Sequence, residues 1–142
     1  MSKQVLSIKQ MKHLQELGLE LKKDTILVWA RFMLSKTQIS DWGDWEIVYN
    51  HSAITENSQT IPAYTLQDVM NALTKRKIND GFCSRIIIDL SRRFISYHYK
   101  DKQYVKTVMK SFDSNRTGCL IDAAYELLCW AIGKKFVETN KK

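Results

Sequence analysis

Between Leu120 and Ile132, the apolar residues Leu120, Ile121, Ala124, Leu127, Leu128, Ala131 and Ile132 recur at offsets 0, 1, 4, 7, 8, 11 and 12. Only an α-helix gathers that spacing onto one side, and a stripe this wide has to be buried against something. Asp122 near its start suits the positive end of a helix dipole, and Gly133 followed by Lys134-Lys135 suits its finish. The remainder of the chain must therefore supply an apolar surface for this helix to lie on.

That surface is predicted to be a small sheet. Ile26 to Leu34 is rich in β-formers and puts Ile26, Val28, Ala30, Phe32 and Leu34 on one face. After the turn Asp41-Trp42-Gly43-Asp44, Trp45 to Tyr49 is a second strand expected to pair with the first. Arg85 to Leu90 and Phe94 to Tyr99 form a hairpin around Ser91-Arg92. Gln103 to Phe112 fits either helix or strand; a strand is favoured because it extends the meander. Two further helices are marked by their starts. Ser7 with Gln10 makes a capping box for a helix over about 8–17, closed by Gly18 and Leu19. Thr65 with Asp68 starts another, after the only proline, Pro62, and it runs to about residue 74, where Lys75-Arg76-Lys77 suits its C-terminal end. Residues 50–60 are polar and aperiodic and read as a mobile loop, and 1–5 and 139–142 read as disordered ends. The expectation is one α+β domain over 1–142. It has a single antiparallel sheet of four to five strands, helices on one face, and the order α-β-β-α-β-β-(β)-α.

Composition narrows the functional classes. No apolar run approaches the ~20 residues of a membrane span, and the N-terminus lacks the apolar core of a secretory signal. Cys83, Cys119 and Cys129 have no C-x-x-C spacing and read as reduced thiols of a cytoplasmic protein, with Cys129 inside the apolar stripe of the final helix. Charge is lopsided: residues 1–70 carry 7 basic and 8 acidic groups, whereas 71–142 carry 15 basic and 7 acidic.

Motifs for nucleotide binding, zinc proteolysis and serine hydrolysis are missing. His13, His51 and His98 have no ligand spacing, so neither a metal nor another cofactor is expected. Asp113-Ser114-Asn115-Arg116-Thr117-Gly118 opens like a calcium loop, but Ala124 stands where a bidentate Glu is needed, so it reads as a turn. Two sets of binding residues remain. On the strands within 85–110, Arg85, Arg92, Arg93, His98, Lys106 and Lys110 make a candidate nucleic-acid surface, with Phe94 and Tyr104 interleaved. Trp42 and Trp45 are candidate protein-contact aromatics, or plugs at the open edge of a core. The expected partner is a protein or a second copy, with nucleic acid as the alternative and no membrane.

Four stretches carry a resemblance: Ser7 to Leu17, the Gly43-Asp44-Trp45 turn, Ile61 to Asp68, and Leu120 to Trp130. With their P-A-x-T-L-x-D helix start and L-I-D-A-x-Y-E-L-L-x-W final helix, they resemble small proteins of prophages and mobile elements in gut bacteria. That group carries no established activity or catalytic residues. The resemblance implies a cytoplasmic accessory protein encoded with phage genes, and it assigns no residue a role.

Overall fold

A computed structural model describes residues 4–33, 42–50, 58–74, 85–101, 104–112, 119–134 and 136–137. Chain order is α1 (Ile8–Glu16), β1 (Leu27–Phe32), β2 (Glu46–Tyr49), β3 (Ser58–Pro62), α2 (Leu66–Thr74), β4 (Arg85–Asp89), β5 (Phe94–Asp101), β6 (Tyr104–Ser111) and α3 (Leu120–Gly133). The class is α+β, as expected. The single sheet is not observed: there are two antiparallel three-stranded sheets, ordered β2-β1-β3 and β4-β5-β6.

The extra strand is β3, which takes up residues 58–60 of the stretch read as a loop. Ser58, Gln59 and Thr60 carry no apolar pattern because two of them face solvent, yet their backbone pairs with Phe32, Arg31 and Ala30. An edge strand is held by backbone hydrogen bonds and needs little from its side chains. By pairing with β1, β3 confines the first sheet to the residues before α2. Segment 104–111 is a strand, the eight-residue partner of β5. Val5, at the end of the stretch read as disordered, bridges Thr65 and is buried, and residues 1–3 lie outside the described residues. Ile26 lies outside β1 and is exposed. Leu34, Lys75-Arg76-Lys77, Asp113 to Gly118 and 139–142 fall outside the described residues.

Local signals fix both ends of α1. The Ser7 hydroxyl accepts from the Gln10 N–H at 3.2 Å, and Gln10 Oε1 accepts from the Ser7 N–H at 2.9 Å, closing the capping box. At the other end Gly18 takes φ 97°, a value that costs a residue with a Cβ. There the Leu19 N–H donates to the Leu14 carbonyl and the Gly18 N–H to the Gln15 carbonyl, the paired bonds of a Schellman stop. Helix α2 starts on a second box, with the Asp68 carboxylate accepting from the Thr65 N–H at 3.0 Å and the Thr65 hydroxyl from the Asp68 N–H at 3.3 Å.

One core holds the helices and the second sheet together. From α3 it takes Ile121, Ala124, Leu127, Leu128 and Ala131, and from the sheet Ile95 and Tyr97 with Ile86, Ile88, Tyr99 and Val108 beside them. Met11 and Leu14 of α1 and Val69 and Leu73 of α2 complete it. Trp130, Tyr97, Tyr99 and Phe136 meet ring to ring at centroid distances of 4.9–6.3 Å, spacings at which aromatic pairs attract beyond their buried area. The first sheet has its own smaller cluster of Val28 and Ala30 with Phe32 and Val48. Its other face is tied to the α1 side of the molecule by the Trp29 indole N–H, which donates to the Leu6 carbonyl at 2.8 Å.

Two substitutions test this account by chemical denaturation. Leu127→Ala, at a fully buried position, should cost about 2–5 kcal/mol. Gly18→Ala should cost about 1–2 kcal/mol through its positive φ alone; an unchanged midpoint would remove the Schellman stop from the account.

Candidate functional site

The strand registers assign each side chain of the second sheet to a face, because directly opposed residues in an antiparallel pair share one. Rows Ile86–Tyr97–Val108 and Ile88–Ile95–Lys110 lie on the α3 side. Rows Arg85–His98–Thr107, Ile87–Ser96–Met109 and Asp89–Phe94–Ser111 lie on the outer side.

This divides the predicted basic surface. Lys110 sits opposite Ile95 and Lys106 opposite Tyr99, so both belong to the helix side, away from Arg85 and His98. Their charge suggested an outward position. On an edge strand, however, a lysine can leave through the open margin of the covered face, keeping its stem on apolar surface and its ammonium in water. Lys110 does so where it lines the cleft between α1, β6 and α3. Tyr104 shares this parity, whereas Phe94 lies with Arg85 and His98. Arg92 and Arg93 sit in the β4–β5 turn. The Asp89 carboxylate accepts from the Arg92 N–H at 3.0 Å and the Ser91 hydroxyl at 2.8 Å, and these two bonds, the Arg92 one foremost, hold its pKa below the usual carboxylate value. Arg93, at φ 57°, lays its guanidinium 5.3 Å from the Phe112 ring centre, and its carbonyl accepts from the Phe112 N–H. It is a turn residue with structural commitments.

The outer face is apolar at its centre and margin. Ile87 is 40% exposed, Met109 60% and Val105 61%. Between Ile87 and Met109 the small side chain of Ser96 is only 2% exposed and points its hydroxyl at the Ile87 carbonyl, 3.4 Å away. His98 is held by hydrogen bonds at both ring nitrogens, Nε2 to Ser96 Oγ at 3.1 Å and Nδ1 to Thr107 Oγ1 at 2.9 Å. A histidine fixed on both sides braces β5 against β6.

Trp42 and Trp45 are brought together on the first sheet. The Arg31 guanidinium lies 5.1 Å from the Trp42 ring centre and 4.8 Å from that of Trp45, and its Nε donates to Gln59 Oε1 at 2.7 Å. Lys12 of α1 approaches Trp45 at 5.7 Å. The cation that two indoles can hold is thus supplied by the chain's own Arg31, and the pair closes the margin between α1 and the first sheet.

A third group escaped the sequence reading. Gln10, whose carbonyl oxygen caps α1, donates through Nε2 to Asp122 Oδ1 at 2.8 Å. Asp122 Oδ2 accepts from the Cys119 thiol at 3.0 Å. One turn along, His13 Nδ1 meets the Tyr125 hydroxyl at 2.5 Å and the Cys129 sulfur at 3.8 Å. Helix spacing in α1 (10, 13) and α3 (122, 125, 129) could have suggested two facing stripes; which helix faces which is a tertiary fact. Beside the group lie two open clefts of 620 and 790 Å³ that share Gln10 and Tyr125. Burial first, then the Cys129 hydrogen bond, pushes the Tyr125 phenol up from its ordinary 10.0. Burial likewise pushes the Cys129 thiol up from 9.0, opposed in part by Tyr125. A thiol held as S–H is a poor nucleophile, and the Asp122 carboxylate is occupied at both oxygens. The group works as a polar clamp between α1 and α3. Among the described residues no three His, Cys, Asp or Glu side chains gather as metal ligands, and no helix is long and apolar enough to cross a membrane.

No protein-family model matches the chain, and neither curated proteins nor solved structures yield a match.

Because Tyr125 and Cys129 titrate higher folded than unfolded, their contribution to stability is complete below their ordinary values and is lost as pH rises through them. Urea midpoints should therefore fall above about pH 9, and less steeply in Tyr125→Phe. Cys129 should also alkylate at pH 8 several-fold more slowly than a small free thiol, read by peptide mass spectrometry. Faster alkylation would make it an activated nucleophile and remove the clamp description.

Proposed function

We propose that this protein is a binding module without chemistry of its own, an accessory protein of the prophage-associated, cytoplasmic kind that its helix motifs resemble. It engages a protein partner through the outer face of β4-β5-β6. The observation that carries this reading is the exposure of Ile87, Val105 and Met109 on the outer side of the sheet, with Met109 at the edge, where it also lines the cleft beside α1 and α3. Water-exposed apolar side chains on a sheet cost free energy that a partner recovers. Its rigidity supports the same reading: the central strand is buried, and the Ser96–His98–Thr107 hydrogen bonds tie the surface into one piece. A preformed surface loses little entropy on binding.

A nucleic-acid partner is less well supported. Tracking a phosphate backbone takes several cations on one surface. Here Lys106 and Lys110 share the opposite face, Arg93 is held on Phe112, and the ionised Asp89 lies on the same face as Arg85. The aromatic cage of Trp42 and Trp45 already holds a cation.

Site-specific photo-crosslinking in cells decides the matter. A benzophenone amino acid at Ile87 or Met109 should give a discrete protein adduct, while the same probe at exposed Glu20 should give none. Equal labelling at all three positions, or adducts with nucleic acid alone, would sink the reading.

A further inference from the structure

On β4 the outward charges stand symmetrically about the apolar centre of the face, Arg85 on one side and Asp89 on the other, while Lys100, in the Val105 row beyond His98, lies outside this pattern. From that arrangement we infer that the partner is a second copy of this chain, stacked sheet on sheet about a two-fold axis along the Ile87–Ser96–Met109 row. The inference rests on the reading of this face as a binding surface and names its occupant.

The register carries the argument. Row Ile87–Ser96–Met109 is flanked at equal distance by Arg85–His98–Thr107 on one side and Asp89–Phe94–Ser111 on the other. Each flanking row lies two residues away, about 7 Å along the strands. On β4 the two flanks bear opposite charges, Arg85 and Asp89. Rotation by 180° about the central row exchanges the flanks and turns the face over. Arg85 of one copy then meets Asp89 of the other, twice. Ile87 meets Ile87 and Met109 meets Met109 on the axis, while Phe94 lies across from His98 and Thr107 across from Ser111. Such an isologous contact needs a self-complementary surface, which the cation and anion of β4 provide; Lys100, four residues from Ser96 along β5, falls across from Arg92 of the other copy at the far ends of the contact. Asp89 is available as the anion: its carboxylate stays ionised on the two turn hydrogen bonds that hold its pKa down. Arg85 is exposed and forms no ion pair among the described residues.

The geometry is that of ordinary sheet packing. Faces of two antiparallel sheets stack about 10 Å apart with strands offset by roughly 30°, and the low Ser96 position between Ile87 and Met109 leaves space on the axis for the partner's side chains. A face of three strands is about 14 Å across from strand spacing and lies at the small end of specific interfaces, so the dimer is reversible. The apolar row supplies the affinity and the charge pairs set the register.

Sedimentation velocity on the purified chain, from low micromolar to several hundred micromolar, tests the inference. A concentration-dependent shift from monomer to dimer is expected. Met109→Asp places two carboxylates on the axis and should weaken the dimer more than tenfold, leaving the thermal midpoint of the monomer unchanged. Arg85→Glu and Asp89→Lys should each self-associate more weakly than the wild type, since like charges then meet twice. An equimolar mixture of the two should dimerise, because both pairs are complementary again in the heterodimer. A wild-type monomer at every concentration overturns the second-copy inference while leaving a binding face intact if Ile87 crosslinks to another protein in cells. A dimer indifferent to Met109→Asp, or one whose charge variants are not rescued by mixing, places the contact elsewhere and overturns it too.

Discussion

The α3 stripe is buried along its length, and most of what surrounds it is oriented by that burial. Ile95 and Tyr97 of the central strand, Val69 and Leu73 of α2, and Met11 and Leu14 of α1 are each fully buried in the core that the stripe enters. Roughly 1.5–3 kcal/mol for each large apolar side chain buried makes this contact the main term opposing chain entropy. Because α3 can cover only one side of a three-stranded sheet, it also decides which side stays bare. Among the described residues α2 joins α3 on the core side of that sheet, and Ile87, Val105 and Met109 stay exposed on the outer side.

Sequence periodicity was most informative where a residue's surroundings lie within a few positions of it. The capping boxes at Ser7 and Thr65, the glycine stop at Gly18, the β4–β5 hairpin and α3 itself are local arrangements, and each is present as expected. What failed was non-local. Residues 58–60 form a strand because β1 offers unpaired backbone, a property of β1 and not of Ser-Gln-Thr. Lys106 and Lys110 fall on the covered face because the register with β5 is set by the hairpin and the apolar rows, and two lysines at a margin cannot outweigh it. The contact between α1 and α3 through Gln10, Asp122, His13 and Tyr125 was likewise illegible, although its spacings are all in the sequence. For the proposed binding surface, the sequence pointed to Arg85 and His98, while the exposed Ile87, Val105 and Met109 read as ordinary strand residues.

The lopsided charge of the chain is thereby reinterpreted. A strongly basic second half suggested a surface of one sign. Among the described residues, Arg85, Arg92, Arg93, Lys106 and Lys110 are distributed among a turn, two faces of one sheet and a cleft. Several have intramolecular tasks: Arg93 on Phe112, and Lys110 beside the clamp. Net charge by segment is a statement about solubility and long-range field; it becomes a statement about binding only once the register has assigned sides.

The order of elements along the chain has a consequence for synthesis. A ribosome releases β4, β5 and β6 before α3, so for the seconds that translation of the intervening residues and the helix requires, the inner side of the sheet lacks its longest covering helix. Ile86, Ile88 and Tyr97 then lack the α3 side chains that complete their core. During that interval the nascent chain is a two-sided apolar hairpin meander, a substrate for chaperones and a hazard in crowded polysomes. The lysines of β6 stand at the margin of the uncovered sheet at this stage, where charge discourages edge-to-edge pairing.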